Sequence, residues 1–230
     1  MIGILGAMTQ EVRLIGDLLG KATSLEVGGR EYTQGRIGDE DVVVSISGFG
    51  KVAAASTVTT MLDRFDPEAI LLTGVAGALD PAVDRGDVVV ADELIQHDFD
   101  ASPIVPRFVI PSLQIDRIPT DPAWTSKLAD AAAATSTGNA VHRGLLLSGD
   151  RFISTNQARA ELRSLFPDAL AVEMEGAAVA QVCAERGLPF AVVRAVSDSA
   201  DDEAGGDFLD FVEHQAAPLL AGIIADVLTR

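Results

Sequence analysis

Short apolar runs alternate along the chain with longer segments whose apolar residues recur at helical spacing. The runs at 2–5, 42–46, 69–72, 87–91, 141–147, 169–172 and 190–196 read as strands. Helices are predicted over 9–19, 51–64, 122–135, 155–165, 176–184 and 208–228. Thr9 is the expected N-cap of the first helix, with Glu11 in its first turn. Gly187-Leu188-Pro189 stops the fifth. Segments 32–37 and 41–46 form a hairpin turning at Gly38-Asp39. Strands alternating with helices predict a mostly parallel sheet wrapped by helices.

Segment 99–121 breaks this rhythm. Ile104 to Pro111 is apolar but punctuated by prolines, which suits neither a helix nor a central strand. Such a loop needs a cover, either a subunit interface or a ligand pocket. Segment 201–206 reads as a flexible acidic loop. No internal repeat or linker divides residues 1–230, so one domain is expected.

The most informative stretch is 169–201. It reads as strand, acidic turn Glu173-Met174-Glu175, a helix of small residues, then a second strand carrying Arg194, Ser197 and Asp198. Two acidic sites then stand at the carboxyl ends of two parallel strands joined by one helix. In open α/β sheets ligands bind at that edge.

Composition narrows the choice of partners. The chain is 48% apolar, with mean hydropathy +0.27. That fits a sheet buried on both faces, or an apolar oligomer interface. A net charge of −17 repels phosphate backbones and anionic membrane surfaces, so neither nucleic acid nor membrane is an expected partner. The single cysteine, Cys183, cannot form an internal disulfide and reads as a packed small hydrophobe. There is no basic leader and no apolar run of membrane-spanning length, so a cytoplasmic location is expected.

Ser47-Gly48-Phe49-Gly50-Lys51-Val52-Ala53 has the shape of a dinucleotide fingerprint. Its ribose partner is missing, because Asp66 and Glu68 precede the next strand instead of ending it. The motif therefore reads as a tight turn into a packed helix. His97, His142 and His214 are scattered without ligand spacing, and no metal is expected. The cluster Asp92, Glu93, His97, Asp98, Asp100 reads as solvated or locally hydrogen-bonded. Ser154 and Ser197 lack a G-x-S-x-G elbow. Glu11, Glu175 and Asp198 each lie where an apolar strand gives way, with Arg194 as counter-charge on the face of Val192 and Val196. Spacing alone leaves two readings open: ordinary caps, or a carboxylate-based hydrolytic or glycosyl-transfer site.

Several segments together resemble one family. GILGAMTQEV, SISGFGKVAAA, LLTGVAGAL, LSGDRFI, AVEMEGAAVAQVC and VVRAVSDSAD are similar, in the same order, to 5′-methylthioadenosine/S-adenosylhomocysteine nucleosidases of the purine nucleoside phosphorylase and uridine phosphorylase superfamily. The resemblance implies a three-layer αβα domain with a central mixed sheet, assembled as a homodimer. It implies hydrolysis of the adenine–ribose bond with no cofactor. Asp198 would protonate adenine N7, with Ser197 beside it. Glu11 would activate water, with Arg194 close by. Glu175 would accept from the ribose hydroxyls, Met174 would pack under the sugar, and Glu173 belongs to the same substrate-binding turn. Phe152 would stack on adenine, Ile153 would read its edge through the backbone, and Gly77 would lie against the base. Met8, Phe49 and Phe208 would line the sugar and 5′ side. Two further activities share this fold: a phosphate-dependent phosphorylase, and a silent nucleoside-binding protein. Three departures stand out. Thr9-Gln10-Glu11 replaces three glutamates, Val75 replaces a serine, and Ala78 replaces a glycine. The 99–111 loop is distinct, and the 5′ substituent is left open.

Overall fold

The computed structural model describes residues 1–201 and 208–230. The expected acidic loop therefore lies, apart from Asp201, outside the described residues.

The centre of the molecule is the parallel array β4 (Glu40–Ile46), β1 (Ile2–Gly6), β5 (Ala69–Ala78) and β10 (Phe190–Asp198). All of β1 and β10 is buried. Strands covered on both faces need no polar alternation, which is why both read as continuous runs. β3 (Arg30–Ile37) extends the array through the expected hairpin with β4. An outer strand, β2 (Gly20–Val27), pairs with β3 and was not predicted. Almost all of it is exposed, so it carries no apolar face for the pattern to reveal.

Beyond β10 the sheet curls. β10 pairs antiparallel with β6 (Val88–Gln96), and β6 pairs parallel with β8 (Val141–Ser148). β8 pairs parallel with β9 (Ala169–Glu173), and β9 pairs antiparallel with the end of β5. These five strands close a ring. Gly77 of β5 is the seam, with Asp198 as its partner on one side and Val172 on the other. The expected parallel neighbours, 169–172 and 190–196, are thus not neighbours. β5 lies between them and runs against β9. Ring closure, not an open-sheet edge, brings their carboxyl ends together. The short β7 (Ile118–Pro119) hangs on β6.

Helices cover both faces. α1 (Thr9–Asp17), α3 (Pro122–Thr135) and the closing helix pack on one side, with Val12, Ile15, Leu128, Leu220 and Ile224 meeting Ala191, Val193 and Ala195 of β10. α2 (Lys51–Phe65) and α5 (Gly176–Arg186) pack on the other, against Val192 and Val196. α4 (Asn156–Leu165) closes a third cluster with β8 and β9. The closing helix comprises α6 (Phe208–Phe211), a π turn at Val212–Ala216 and α7 (Ala217–Thr229). Unbroken from Phe208 to Thr229, it is long and apolar enough to cross a membrane by length and composition alone, contrary to the reading of the sequence. Its apolar face is instead buried in the first core cluster.

The proline-broken segment is partly anchored on its own chain. Ile110 is buried, and Phe108 packs on Phe166 with ring centroids 4.9 Å apart. Ile104 remains 89% exposed.

Candidate active site

The sites foreseen at three distant points of the chain line one cleft of about 420 Å³. Its walls include Met8, Glu11, Phe49, Gly77, Phe152, Glu173, Met174, Glu175, Ser197, Asp198 and Phe208. Ile153 lines a small side recess with Gly77, Met174 and Asp198.

Glu11 reaches the cleft from the first turn of α1. The expected N-cap is corrected here: Met8, not Thr9, stands at the cap position. Because Glu11 folds back over the turn, its Oε2 accepts from the N–H groups of Ala7 (2.7 Å) and Met8 (2.8 Å). Its Oε1 accepts from the N–H of Val75 at 3.0 Å. The carboxylate thus caps its own helix and is tied to β5. Burial pushes its pKa up, against the opposing pull of Arg194 and the three N–H donors.

Asp198 ends β10. Its Oδ2 accepts from the Ser197 hydroxyl (2.7 Å) and its Oδ1 from the N–H of Ala200 (2.8 Å). Burial raises its pKa, opposed by those two hydrogen bonds. Gly77 makes room for it, since a Cβ there would stand 2.9 Å from Asp198 Oδ1.

Glu175 occupies the N-cap position of α5. Its Oε1 accepts from the N–H of Gly50 at 2.8 Å. Its Oε2 lies 3.7 Å from Arg194 Nη2. Burial, followed by the charge of Glu173, pushes its pKa up to about 8. Arg194 is fully buried. It pairs with Glu173, and its Nη1 donates to the Thr73 carbonyl at 3.3 Å. It is near Glu11, as expected, because a Cβ on Gly74 would touch both Arg194 Nη1 and Glu11 Oε1. Its ion pairs, however, are with Glu173 and Glu175.

Glu173 lines the cleft, as expected, and is also held from inside the protein. Its carboxylate accepts from Ser148 Oγ, Arg194 and the N–H groups of Glu175 and Gly176. With both oxygens engaged it braces the α5 N-terminus from the wall of the cleft.

Aromatic side chains form the rim. Phe152 is 49% exposed and meets Phe208 edge to face, with centroids 6.1 Å apart. Phe49 is 66% exposed.

The Gly48–Lys51 turn opens α2 as a tight, internally bonded turn. Two of its N–H groups go to carboxylates of the protein, Gly50 to Glu175 and Lys51 to Asp150 at 2.7 Å, and that of Gly48 goes to the Ala7 carbonyl. Gly50 has φ +90, and a Cβ there would stand 2.7 Å from Asp150 Oδ1. The acidic cluster at 92–100 resolves into separate pairs, Asp92 with Arg143 and Asp98 with Lys51, both at 2.6 Å. His142 pairs with Asp87 at 2.8 Å. Among the described residues no group of side chains could hold a metal ion. Cys183 is buried, with its thiol pushed up to about 12, hence inert.

Sequence reasoning missed Gly74, Ser148 and the backbone donors of Gly50, Val75 and Ala200. A glycine inside a strand pattern does mark close backbone approach, so Gly74 was findable. The donors were not, because any residue carries an N–H.

The pattern of the phosphorylase superfamily matches residues 1–229. The 5′-methylthioadenosine/S-adenosylhomocysteine nucleosidase of Staphylococcus saprophyticus subsp. saprophyticus is 39% identical over 218 residues, 94% of each chain. Its counterpart from Haemophilus influenzae is 37% identical over 231 residues, 97% of each chain. Among solved structures, the same enzyme from Neisseria meningitidis, in complex with methylthio-immucillin-A, superposes with a TM-score of 0.93 at 34% identity. That match covers 99% of this chain and 98% of the other. The Colwellia psychrerythraea enzyme, in complex with adenine, gives a TM-score of 0.90 at 34% identity, over 99% and 93% of the two chains.

Proposed function

The chain belongs to the phosphorylase superfamily, and within it we propose an N-ribosyl hydrolase that releases adenine from 5′-methylthioadenosine, S-adenosylhomocysteine and related 5′-substituted adenosines. Relatives at 37–39% identity over nearly the whole chain carry that activity in their names. The observation that carries the reading here is the pair Glu11 and Asp198, two buried carboxyl groups held by backbone donors on one cleft.

Adenine is a poor leaving group as an anion and a good one when protonated. Asp198 gives the proton to N7; burial favours the protonated form of both carboxyl groups, and the charge of Arg194 with three N–H donors opposes this at Glu11, the base. Ser197 and the Ala200 N–H fix its orientation. Glu11 takes the proton of the attacking water. Glu175 accepts from the ribose hydroxyls, and the surrounding carboxylates favour the positive charge that develops on the sugar. Arg194 and Glu173 position Glu175 from behind. Met174 packs under the sugar, Phe152 stacks on the base, and Ile153 and Gly77 border it. Met8, Phe49 and Phe208 receive the 5′ group.

Water is favoured over phosphate because Glu11 stands at the nucleophile's place. A phosphate at about 4 Å from it would be repelled by about 4 kcal/mol at an effective dielectric near 20. Arg194 offers no relief, being paired with two glutamates. The test is adenine release with and without phosphate. Equal rates and free ribose products are expected, whereas strict phosphate dependence with ribose-1-phosphate as product rejects the hydrolase.

We also infer one catalytic domain over residues 1–230, a cytoplasmic location, and a homodimer. Ile104 and Val52, 89% and 81% exposed, support an apolar subunit contact.

A further inference from the structure

A second concavity adjoins the carboxylate cleft. It is an open trench of about 1200 Å³, solvent-filled mouth included, between α1 and the β3–β4 hairpin. Met8 and Phe49 line the cleft, while their chain neighbours Thr9 and Gly48 line the trench. At that boundary the N–H of Gly48 donates to the Ala7 carbonyl at 3.1 Å. A 5′ substituent received by Met8 and Phe49, if long, leaves the cleft beside the trench.

The charged residues lining the trench are Arg13, Arg30 and Glu31. Arg30 Nε donates to the Ser47 carbonyl at 3.2 Å. That bond pins the guanidinium to the wall and leaves both Nη groups without a partner among the described residues. Arg13 Nη2 stands 3.6 Å from Glu213, with both side chains about half exposed. This is a solvent-exposed ion pair, too long for a hydrogen bond and weak, so a ligand carboxylate can compete with Glu213 for the Arg13 fork. Glu31 is held through its carbonyl by Ser45 Oγ at 2.7 Å, and its carboxylate has no partner among the described residues. Two forked cations and one carboxylate in a single trench match a zwitterion: guanidinium groups bind carboxylate in bidentate fashion, and a carboxylate accepts from an ammonium.

We propose that this trench is a subsite for a 5′ substituent ending in an α-amino acid, with Arg13 and Arg30 binding the α-carboxylate and Glu31 the α-ammonium. A methylthio group is neutral and ends in the cleft. A homocysteinyl group carries both charges at its far end, where the trench begins. The inference rests on the hydrolase reading above and adds to it a means of distinguishing the two substrates.

The test compares adenine release from 5′-methylthioadenosine and from S-adenosylhomocysteine by the full chain and by Arg13→Gln, Arg30→Gln and Arg30→Lys. Thermal unfolding of each variant checks that it folds. With Arg30→Gln, kcat/KM on S-adenosylhomocysteine falls roughly tenfold, through KM. The methylthio substrate changes less than about twofold, because it has no group to lose the contact. Arg30→Lys, which keeps the charge without the fork, retains part of the activity on S-adenosylhomocysteine. A loss shared equally by both substrates, or no loss on either, overturns the subsite and leaves the hydrolase reading standing. If the unsubstituted chain releases adenine from neither substrate, both fall.

Discussion

Gly50 and Glu175 lie 125 positions apart and are joined by one hydrogen bond, from the Gly50 N–H to Glu175 Oε1 at 2.8 Å. The glycine turn that opens α2 is therefore also a support for the carboxylate proposed to bind the sugar. Gly50→Ala puts a Cβ into Asp150 and strains a backbone at φ +90. The expected cost is about 1–3 kcal/mol in stability, with a rise in KM exceeding any fall in kcat. Thermal unfolding and steady-state kinetics check both. A variant with unchanged Tm and KM removes the turn from the site.

Asp198→Asn removes the proposed proton donor. A loss of about 10²–10⁴-fold in kcat is expected, with substrate binding retained. The neighbouring Ser197→Ala is more diagnostic. The Ser197 hydroxyl is one of the two hydrogen bonds that lower the pKa of Asp198. Its removal raises that pKa further. The acid acts in its protonated form, so the alkaline limb of the kcat–pH profile moves to higher pH. A limb that stays or moves down contradicts the assignment.

Stability should fall as pH rises from about 4.5 to 8. Glu175 is held at about 8 in the folded chain against 4.5 ordinarily. Between those values the folded state binds the extra proton, so raising pH favours unfolding. Glu11 and Asp198, also raised by burial, act in the same direction. At about 1.4 kcal/mol per pKa unit, the Glu175 shift corresponds to a decline of about 5 kcal/mol across the window. Glu175→Gln should flatten it in denaturant titrations at several pH values, and an unchanged slope would refute the cause.

Glu173→Gln should unfold the chain more readily than a surface change of the same kind. It leaves the fully buried Arg194 short of its main counter-charge. Breaking a buried pair in this way costs about 3–5 kcal/mol. Urea denaturation measures it. A shift below about 1 kcal/mol would show that Glu175 suffices as partner.

Ile104→Asp places a charge on the exposed apolar tip of the 99–121 segment. If that tip is part of a subunit contact, the mass by light scattering falls from dimer to monomer at micromolar concentration. Activity on 5′-substituted adenosines falls with it. A monomeric mass for the unsubstituted chain would reject the dimer.

The chain's local patterns were enough to place every long strand and helix except β2, and to mark Glu11, Glu175 and Asp198 as acidic residues at strand ends. Those features follow from period and composition, which act between near neighbours. β2 escaped because an exposed edge strand has no buried face to leave a trace. The relation of β9 to β10 also escaped, because the ring through β5 is made by pairings between distant segments. Only the folded chain decided that Glu173 braces a helix and pairs with Arg194 while Glu175, two residues on in the same cleft wall, is tied to the Gly50 turn. Both residues look alike in a sequence. What separates them is which donors come within about 3 Å, namely Ser148, Arg194 and the first N–H groups of α5 for one, and Gly50 for the other.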